Sequence, residues 1–506
     1  MVLLGMSGVN NVATLFRSGD SGHLTLHIRN DNDEAAFGTV IVAVGDSIEG
    51  AIAAVMYHAR TLVTATNAGA AQPVAEPEPE SDIKPQWYEN WYDGLGYCTW
   101  NSLGQQLTEE KVLKALDTLA ENKISISNLI IDDNWQDIDY RGDGQWQQGW
   151  NDFEAEPKTF PRGLKALVSD IRSKHKNIQH IAVWHALLGY WAGLAPSGPL
   201  AKRYKTVQVT RDDAEKSQLP IDGQMTLVAQ EDVQAFYNDF YRFLSDAGID
   251  GVKTDGQYMI DTWTSPATRR TLTKPYLDAW TLASLRHFAG RAISCMSLAP
   301  PIIFHSQLPT NRPAVVCRNS DDFFPDVPEA QPWHVFANAH ASLLTSHLNT
   351  LPDWDMFQTA HPWAGFHAAA RCVSGGPLYV TDPPGAHDLG LLRQVTGVSP
   401  RGRKTVVFRP SVGARALDAY VGYEERGAVL KAGAYHGRAA EGTGIMGVFN
   451  VGGEGVVEVV PLGRFPGVVV EGGGGRRYVV RAHGTGRVTP PMEAGRPGAA
   501  VVVGSG

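Results

Sequence analysis

The sequence predicts an α/β protein built on a TIM (β/α)8 barrel, with a reduced N-terminal β-rich segment and a small C-terminal antiparallel β domain. Between Trp87 and Asp388, short apolar runs alternate with amphipathic helical patterns, which is typical of βα units around a parallel sheet. After about residue 400 the chain becomes rich in valine and glycine, which favours short strands joined by tight turns. We therefore expect four parts: a partial β-rich domain at 1–67, a linker at 68–85, the barrel at 86–400 and a β domain at 401–506.

The composition excludes several classes of protein. Of the 506 residues, 43% are hydrophobic and 19% are charged, so the chain can bury a large core. The net charge of −9 argues against nucleic-acid binding, which usually needs a basic stripe. No run approaches the roughly 20 apolar residues that cross a bilayer, and the N-terminus has no signal-peptide pattern, so we expect no membrane partner and a cytoplasmic location. The four cysteines are far apart, which indicates neither a disulfide framework nor a zinc site.

The N-terminal part shows strand-like runs followed by one helical pattern. The runs are His23–Ile28 and Thr39–Val44, and the helical pattern covers Ser47–Leu62. The next stretch is rich in Ala, Pro and Glu and can bury little apolar surface, so it is expected to act as the linker.

Eight apolar runs in the middle of the chain are candidate barrel strands. They are Gly96–Trp100, Leu129–Asp133, Ile181–His185, Gly251–Asp255, Ala292–Ser297, Val315–Arg318, a short run near Asn349–Leu351, and Pro377–Thr381. Amphipathic stretches with apolar residues at three- and four-residue spacing lie between them: Glu109–Glu121, Leu164–Lys174, Gln234–Ala247, Tyr276–Ala289 and Val335–Leu348. Eight strands alternating with helices is the number that closes a TIM barrel.

Polar residues follow most of the candidate strands, at the end where TIM-barrel enzymes carry their active sites. The candidates are Trp100 at the end of the first strand, Asp132 and Asp133 at the second, Trp184 in the third, Lys253 and Asp255 in the fourth, Arg318 at the end of the sixth with Asp321 and Asp322 after it, and Trp354 and Asp355 after the seventh. Indole faces stack on pyranose rings and carboxylates accept hydrogen bonds from hydroxyls, so this set predicts a sugar pocket. The chain has no phosphate-binding, dinucleotide or H-E-x-x-H motif, so no cofactor or metal is expected.

Asp255 is the candidate nucleophile of a glycosidic reaction. The two-residue period of a strand places Lys253 on the same side as Asp255, where its ammonium would keep the carboxylate ionised. The alternative is a structural ion pair at the end of a strand.

The second acid of the reaction is expected close after Arg318. One of Asp321 and Asp322 can pair with the arginine while the other, with a raised pKa, acts as acid/base. Two adjacent aspartates are also common in turns and at helix N-caps, so the residues alone leave both interpretations open.

The other polar candidates also have local alternatives. Asp132 and Asp133 could hold sugar hydroxyls or cap the loop that follows their strand. His185, with Trp184 and Trp191 nearby, could line the pocket, although a lone histidine more often satisfies a local hydrogen bond.

Six motifs stand in a fixed order along the middle of the chain: GYCTWN at 96–101, DDNWQ at 132–136, KTD at 253–255, CMS at 295–297, RNSDDFFP at 318–325 and PDWDMF at 352–357. Together they resemble the raffinose synthase and seed imbibition protein group of glycoside hydrolase family 36, over about residues 87–388. The resemblance implies a retaining enzyme that acts on α-galactoside oligosaccharides without a metal or cofactor.

The resemblance also implies roles for individual residues. The nucleophile is Asp255, and the acid/base is Asp322 rather than Asp321. Asp132 and Asp133 bind galactose hydroxyls in this assignment. The other residues expected in the substrate-binding set are Trp100, Trp184, Lys253, Arg318, Asp321, Trp354 and Asp355.

Three functions are compatible with this resemblance. We expect an α-galactosidase that hydrolyses terminal α-galactosyl groups by double displacement. The alternative is a galactinol–sucrose galactosyltransferase (raffinose synthase), in which sucrose replaces water as the acceptor. The third is a non-catalytic sugar-binding barrel or a truncated product, because family members usually carry a full β-sandwich before the barrel and only about 67 residues precede the linker here.

Overall fold

The computed structural model describes most of the chain. The described residues are 1–68, 91–212, 221, 223–305, 314–398, 405–423, 425, 427, 429–438, 442–452, 456–467, 487–489 and 499–504. The linker expected at 68–85 lies, beyond Ala68, outside the described residues. In the described part of the chain, no helix is both long enough and apolar enough to cross a bilayer.

The N-terminal part forms two antiparallel strand pairs and one long helix. Its elements are β1 (Val2–Met6), β2 (Val12–Ser18), β3 (Leu24–Asn30), β4 (Thr39–Ala43) and α1 (Ile48–Ala68). β1 pairs with β4, and β2 pairs with β3. The apolar face of α1, including Val55 and Ala59, shares a core with Met6, Ile41 and the barrel residue Phe304. The N-terminal part is therefore packed onto the barrel.

The middle of the chain alternates strands with helices. Its first half contains β5 (Gly96–Cys98), α2 (Trp100–Leu103), α3 (Glu109–Glu121), β6 (Asn128–Ile131), β7 (Gln136–Ile138), β8 (Trp150–Ala155), α4 (Gly163–Lys174), β9 (His180–Ala186), α5 (Pro199–Arg203), β10 (Thr206–Arg211), β11 (Gly223–Val228) and α6 (Val233–Asp246). Its second half contains β12 (Gly251–Asp255), α7 (Pro266–Phe288), β13 (Ala292–Ser294), β14 (Val315–Arg318), α8 (Ala330–Thr345), β15 (Thr350–Asp353), α9 (Ala364–Ser374), β16 (Tyr379–Val380) and α10 (Leu389–Val395).

Eight of these strands form one curled parallel sheet. The order along the sheet is β15, β14, β13, β12, β9, β6, β5 and β16. The two outer strands meet just beyond β15, where Phe357 lies beside Val380 in a parallel bridge and its carbonyl accepts a hydrogen bond from the Thr381 amide at 2.9 Å. These are the eight strands that the apolar runs predict, so the TIM barrel is confirmed.

Amphipathic helices cover the outside of the sheet. In α3, the spacing of the buried residues Val112, Leu116 and Leu119 places them on one face of the helix. This helix begins as the sequence predicts, because the Thr108 hydroxyl accepts a hydrogen bond from the Lys111 amide at 3.1 Å and caps the first turn.

The start of α7 differs from the prediction. The sequence pattern placed it at Tyr276, directly after Pro275, whereas the helix begins at Pro266 and contains Pro275 in its interior. The true start is set by Ser265, whose side chain accepts a hydrogen bond from the Thr268 amide, followed by a proline that fits the first turn of a helix.

Two antiparallel hairpins are inserted after barrel strands. β7 and β8 form the hairpin after β6, and β10 and β11 form the one after β9. Arg211, at the end of β10, is buried and donates hydrogen bonds to the backbone carbonyls of Trp191, at 2.6 Å, and Trp146. The insertions therefore hold an aromatic segment at the carboxyl end of the barrel.

The C-terminal part is antiparallel, as predicted. It contains β17 (Thr396–Val398), β18 (Thr405–Val407), β19 (Val412–Ala416), β20 (Val429–His436), β21 (Thr443–Asn450), β22 (Val456–Pro461), β23 (Arg487–Thr489) and β24 (Ala499–Gly504). The sheet of β19, β20 and β21 packs on α8 and α9 around a core that includes Phe336, Ala432 and Phe449.

Candidate active site

Asp255 lies at the carboxyl end of β12 and is almost fully buried. The indole N–H of Trp184 donates a hydrogen bond to its Oδ2 at 3.0 Å, and the Gly256 amide donates to its Oδ1 at 2.8 Å. Burial raises the pKa of Asp255, the Lys253 ammonium lowers it, and the Asp322 carboxylate raises it. The Asp322 carboxylate, on the segment after β14, therefore acts electrostatically on Asp255 at the end of β12.

Lys253 does not contact Asp255 directly, so the alternative of a structural ion pair between these two residues does not hold. Its Nζ instead lies 2.7 Å from Oδ2 of Asp132, and both side chains are buried. β12 and β6 flank β9 in the sheet, so the long lysine side chain reaches across to the end of β6. Lys253 acts on Asp255 only through space, and burial outweighs it, so the pKa of Asp255 is raised.

Asp132 and Asp133 occupy different environments, although the sequence treats them as a pair. Asp132 accepts hydrogen bonds from Lys253 and from the Cys98 thiol, so it is held inside the barrel. Asp133 accepts from the indole N–H of Trp191 at 3.0 Å. Burial, which outweighs this hydrogen bond, raises the pKa of Asp133 to about 7. Asp133 lies against the aromatic segment, whereas Asp132 is paired with Lys253.

Three indole rings form an aromatic wall on this side of the site. The ring of Trp191 lies 5.5 Å from that of Trp184 and 4.4 Å from that of Trp146, measured between centroids. His185, by contrast, contacts Tyr241 and Thr254 under this wall, and burial lowers its pKa to about 4. The structure therefore supports the alternative in which His185 satisfies local hydrogen bonds rather than lining the pocket.

Arg318, at the end of β14, is buried at the centre of a cluster of carboxylates. Its guanidinium contacts three carboxylates: Nη1 lies 3.0 Å from Asp322, Nε 3.1 Å from Asp353 and Nη2 2.6 Å from Asp355. The Tyr379 hydroxyl also lies 3.0 Å from Nη2. Asp322 is the only one of these three carboxylates with appreciable exposure, at 29% of its side chain, so a ligand can reach it.

Asp321 lies outside this arrangement, which corrects its assignment to the substrate-binding set. Its side chain is 50% exposed, and its Oδ1 lies 3.8 Å from Nδ1 of His334. The four-residue spacing from Arg318 brings Asp322, and not Asp321, back to the guanidinium. The expectation that the aspartate not paired with Arg318 is the acid/base therefore does not hold, because the unpaired one, Asp321, faces away from the arginine. The geometry agrees instead with the family resemblance, which implies Asp322 as the second acid.

Trp354 and Asp355 also need correction as sugar contacts. Trp354 is buried in the core between α8, α9 and the sheet of β19–β21, outside the barrel. Asp355 does face the barrel, but its Oδ1 pairs with Arg318 and its Oδ2 accepts from the Phe323 amide at 2.6 Å. Asp355 therefore positions Arg318 rather than holding a sugar hydroxyl.

Arg371, on α9, is a buried residue of this region that the sequence reasoning missed. Its hydrogen bonds go to the backbone carbonyls of Asp355, at 3.0 Å, and Met356, at 2.9 Å, and to the imidazoles of His367 and His334. An arginine among the alanines of an apolar helix face was the available signal. Arg371 fixes the backbone from which Asp355 reaches Arg318.

Trp100 lines an open cleft whose lining includes neither Asp255 nor Asp322. The cleft lies at the carboxyl end of the barrel and has a volume of about 470 Å³. Asn101 and Gln358 contribute to the same walls. Among the described residues, no group of three His, Cys, Asp or Glu side chains is arranged to hold a metal ion.

The site combines two acids with different surroundings. Asp255 is buried between indole and amide donors, which suits a carboxylate that attacks a ligand, whereas Asp322 is partly exposed and held by Arg318, which suits proton exchange with a ligand. Two carboxylates at the mouth of a (β/α)8 barrel are an arrangement that glycosidases use. The fold is shared with a GH27 β-L-arabinopyranosidase from Geobacillus stearothermophilus, which is 15% identical, with a TM-score of 0.50 over 84% of this chain and 99% of that chain.

The chain belongs to the raffinose synthase or seed imbibition protein Sip1 family, whose sequence profile matches residues 86–161 and 151–458. The family resemblance predicted from the six motifs is thus confirmed. A relative in Arabidopsis thaliana, the probable galactinol–sucrose galactosyltransferase 6, is 33% identical over 325 residues, which cover 60% of this chain and 42% of that protein. The galactinol–sucrose galactosyltransferase of Oryza sativa subsp. japonica is 30% identical over 337 residues, with the same coverage of 60% and 42%. The chain therefore spans less than half the length of these curated relatives.

Proposed function

We propose that this chain transfers an α-galactosyl group from a galactinol-type donor to a sugar hydroxyl, with sucrose as the acceptor, and retains the anomeric configuration. The observation that carries the proposal is the pair of acids that follow β12 and β14: Asp255 is buried, Asp322 is reachable and held by Arg318, and the Asp322 carboxylate raises the pKa of Asp255. The names of the relatives support transfer in preference to the hydrolysis that the sequence led us to expect.

The reaction proceeds by double displacement. Asp255 attacks C1 of the galactosyl group, and Asp322 donates its proton to the leaving oxygen as that bond breaks. Asp322, now a carboxylate, then removes the proton of the acceptor hydroxyl, whose oxygen displaces Asp255 from C1 and returns the enzyme to its starting state. The N–H donors on Asp255 and the ammonium of Lys253 stabilise the carboxylate before attack and after release.

The remaining residues hold the reacting groups. Arg318 orients Asp322 through a contact of 3.0 Å, and Asp355 and Asp353 hold Arg318 in turn. The aromatic wall offers indole faces to the apolar side of a galactose ring, and Asp133 offers a carboxylate to its hydroxyls.

Hydrolysis is the second candidate function, because the exposed fraction of Asp322 also admits water. The test is product analysis after incubation of the full chain with galactinol and sucrose together. We expect raffinose with an α-linked galactosyl group as the main product. Free galactose as the main product would favour the α-galactosidase, and binding of galactinol without any product would favour a sugar-binding protein. The Asp255→Asn chain, purified in the same way, controls for galactosidases of the expression host.

A further inference from the structure

A row of buried polar side chains lies on the outer face of the barrel sheet, behind the candidate active site. Four adjacent strands, β9, β12, β13 and β14, contribute one residue each, and these residues are register partners in the parallel sheet. They are His185, Thr254, Ser294 and Cys317, and all four are buried. The outer face of a parallel strand usually packs apolar side chains against helices, so a polar row at this level is unexpected.

At β9 and β12 the row is tied to the covering helices. Nδ1 of His185 donates to the Ala186 carbonyl at 2.8 Å, so Nε2 of the neutral ring is an acceptor. The hydroxyls of Thr254 and Tyr241 lie 3.0 and 2.9 Å from this Nε2. The Thr254 hydroxyl, which donates to the imidazole, also accepts from the indole N–H of Trp280 at 2.8 Å. Thr254 is therefore held between a donor on α7 and an acceptor on β9.

At β13 and β14 the same network continues through Gln257. Its Nε2 donates to the Thr254 carbonyl at 3.1 Å and to the Ser294 hydroxyl at 2.8 Å. The Ser294 hydroxyl donates to that of Ser297 at 2.9 Å, and Oγ of Ser297 lies 3.5 Å from Sγ of Cys317. We call the six residues from β9 to β14 the polar belt: His185, Thr254, Gln257, Ser294, Ser297 and Cys317.

The polar belt lies one residue away from the site along three of these strands. Trp184 precedes His185, Asp255 follows Thr254, and Arg318 follows Cys317. Because successive side chains of a strand point to opposite faces, the belt faces outward where the site residues face inward. A shift of β12 against its neighbours would therefore move Asp255 relative to Trp184 and Arg318.

Packing alone does not fix this face of the sheet. A cavity of about 50 Å³ lies against the belt, and Gln257, Ser294 and Ser297 contribute to its lining. Side chains beside a cavity lack part of the close contact that holds a packed core in place, whereas hydrogen bonds are directional. The belt supplies directional contacts where the packing is incomplete.

We propose that the polar belt sets the position of Asp255 for its attack on C1, and that Thr254 is its main positioning residue. Thr254 acts through the peptide bond that it shares with Asp255, because the belt holds both its hydroxyl and its carbonyl. Ser297 belongs to the CMS motif at 295–297, to which the mechanism above gives no role. The inference rests on the proposed function, since it requires Asp255 to be the nucleophile.

The test measures how fast Asp255 attacks separately from how much of the protein is folded. With 5-fluoro-α-galactosyl fluoride, Asp255 forms an ester bond to C1 as the C1–F bond breaks and fluoride leaves, and the 5-fluoro substituent slows release of the ester. Mass spectrometry of the full chain gives the rate constant of labelling at saturating reagent and the final labelled fraction. A change in folding alters the fraction, whereas a change in the position of Asp255 alters the rate constant.

Thr254→Val keeps the shape of the side chain but removes the hydroxyl. We expect labelling about tenfold slower with an unchanged final fraction, because Asp255 is displaced from C1. Thr254→Ser keeps the hydroxyl and should restore the wild-type rate.

Two further variants complete the test. Ser294→Ala is a milder change that interrupts the belt between Gln257 and Ser297, and it should also slow labelling. Thr281→Val is the matched control: Thr281 is a buried threonine whose hydroxyl donates to the Leu277 carbonyl within α7, so its rate constant should equal that of the wild type.

The outcomes separate this inference from the function on which it rests. If the wild-type chain is labelled at Asp255 and Thr254→Val and Ser294→Ala are labelled at the same rate, the belt is merely structural and the inference fails, whereas the proposed function stands. A slow rate in Thr254→Val alone would show that the belt does not act as a unit and would also overturn the inference. If Thr254→Val does not fold, the rate for Ser294→Ala decides. If the wild-type chain is not labelled, the proposed function fails and the inference fails with it.

Discussion

The ammonium of Lys253 lies 2.7 Å from the carboxylate of Asp132, with both side chains only 2% exposed. This ion pair joins β12 to the end of β6. Among the described residues Asp255 has no direct cationic partner, and its hydrogen bonds come from the indole of Trp184 and the Gly256 amide. The charge of Lys253 nevertheless lowers the pKa of Asp255 against the effect of burial.

Removing one member of this pair should destabilise the fold. Lys253→Met leaves Asp132 charged and unpaired in the interior, which typically costs about 3–5 kcal/mol. Urea unfolding at neutral pH should show this loss, and the double variant Lys253→Met/Asp132→Asn should recover much of it. In both variants the acid limb of the kcat/KM profile should move to higher pH, because the pKa of Asp255 rises without Lys253. Equal stability of the single and double variants would contradict the assigned pairing.

Asp255→Asn should abolish turnover while galactosides still bind, because the amide keeps the shape of the side chain but is a poor nucleophile. We expect kcat to fall at least about 10³-fold, measured with a nitrophenyl α-galactoside. In Asp255→Gly, added azide should restore cleavage and yield the β-galactosyl azide, because azide then attacks from the vacated side. Rescue that gives the α-azide, or undiminished activity of Asp255→Asn, would exclude Asp255 as the nucleophile.

The fold was predictable because its main signals are local. Each barrel strand is a short buried run, and the face of α3 that packs inward repeats at helical spacing. The start of α7 was not predictable in this way. A proline usually interrupts a helix, so the pattern placed the start after Pro275, whereas α7 contains Pro275 in its interior. The hairpins after β6 and β9 depend on contacts between loops, which leave no periodic pattern in the sequence.

The acid/base can be tested against its own neighbour. Asp322→Asn should lower kcat/KM for raffinose by about 10²–10⁴-fold, because the leaving alkoxide then goes unprotonated. Activity on α-galactosyl fluoride should fall much less, because fluoride leaves without a proton. Asp321→Asn is the matched control and should change either value by less than about twofold, because Asp321 is half exposed and not bound to Arg318. The reverse ranking of the two variants would assign the role to Asp321.

Strand alternation explains which site residues the sequence could have placed. Asp353, the last residue of β15, faces Arg318, so alternation places the next residue, Trp354, on the outward side. Asp355 lies beyond the strand with a left-handed backbone, so alternation does not predict that it turns back to Arg318. Applying this period would have excluded Trp354 and found Asp353, which was not among the candidates. The lysine-to-Asp132 pairing could not be predicted in this way, because it joins strands that are not adjacent.

Asp133 should make stability depend on pH. Its pKa is 3.8 in a model compound and about 7 in the fold, so the folded state holds the proton more tightly than the unfolded chain. This stabilisation is present at low pH and is lost as the pH rises from about 4 to about 7. Between pH 4.5 and 8, the free energy of unfolding of Asp133→Asn minus that of the wild type should therefore rise by about 3 kcal/mol.

Urea unfolding at several pH values measures this difference. Asp143→Asn, which removes an exposed carboxylate from the neighbouring loop, controls for the change in net charge. A difference between Asp133→Asn and the wild type that stays constant with pH would show that Asp133 titrates normally in the fold.

Arg371 should matter for catalysis although it does not reach the ligand. It holds the carbonyls of Asp355 and Met356, and Asp355 has a left-handed backbone, with φ of 68°, that a non-glycine residue adopts only when its surroundings fix it. Asp355 in turn holds Arg318, which orients Asp322. Burial lowers the pKa of Arg371 to about 10, so the guanidinium still carries its charge at neutral pH.

Arg371→Lys keeps a cation but cannot reach all four partners of the planar guanidinium, so we expect a loss of about 1–3 kcal/mol in the free energy of unfolding. At a temperature where the variant is folded, kcat for raffinose should fall about tenfold with little change in KM, because Asp322 is displaced from the leaving oxygen. Cleavage of α-galactosyl fluoride should be affected less, since it needs no acid. Arg286→Lys, an equal change at an exposed arginine of α7, is the control. A purely structural role for Arg371 would lower both activities equally, because only the fraction of folded enzyme would change.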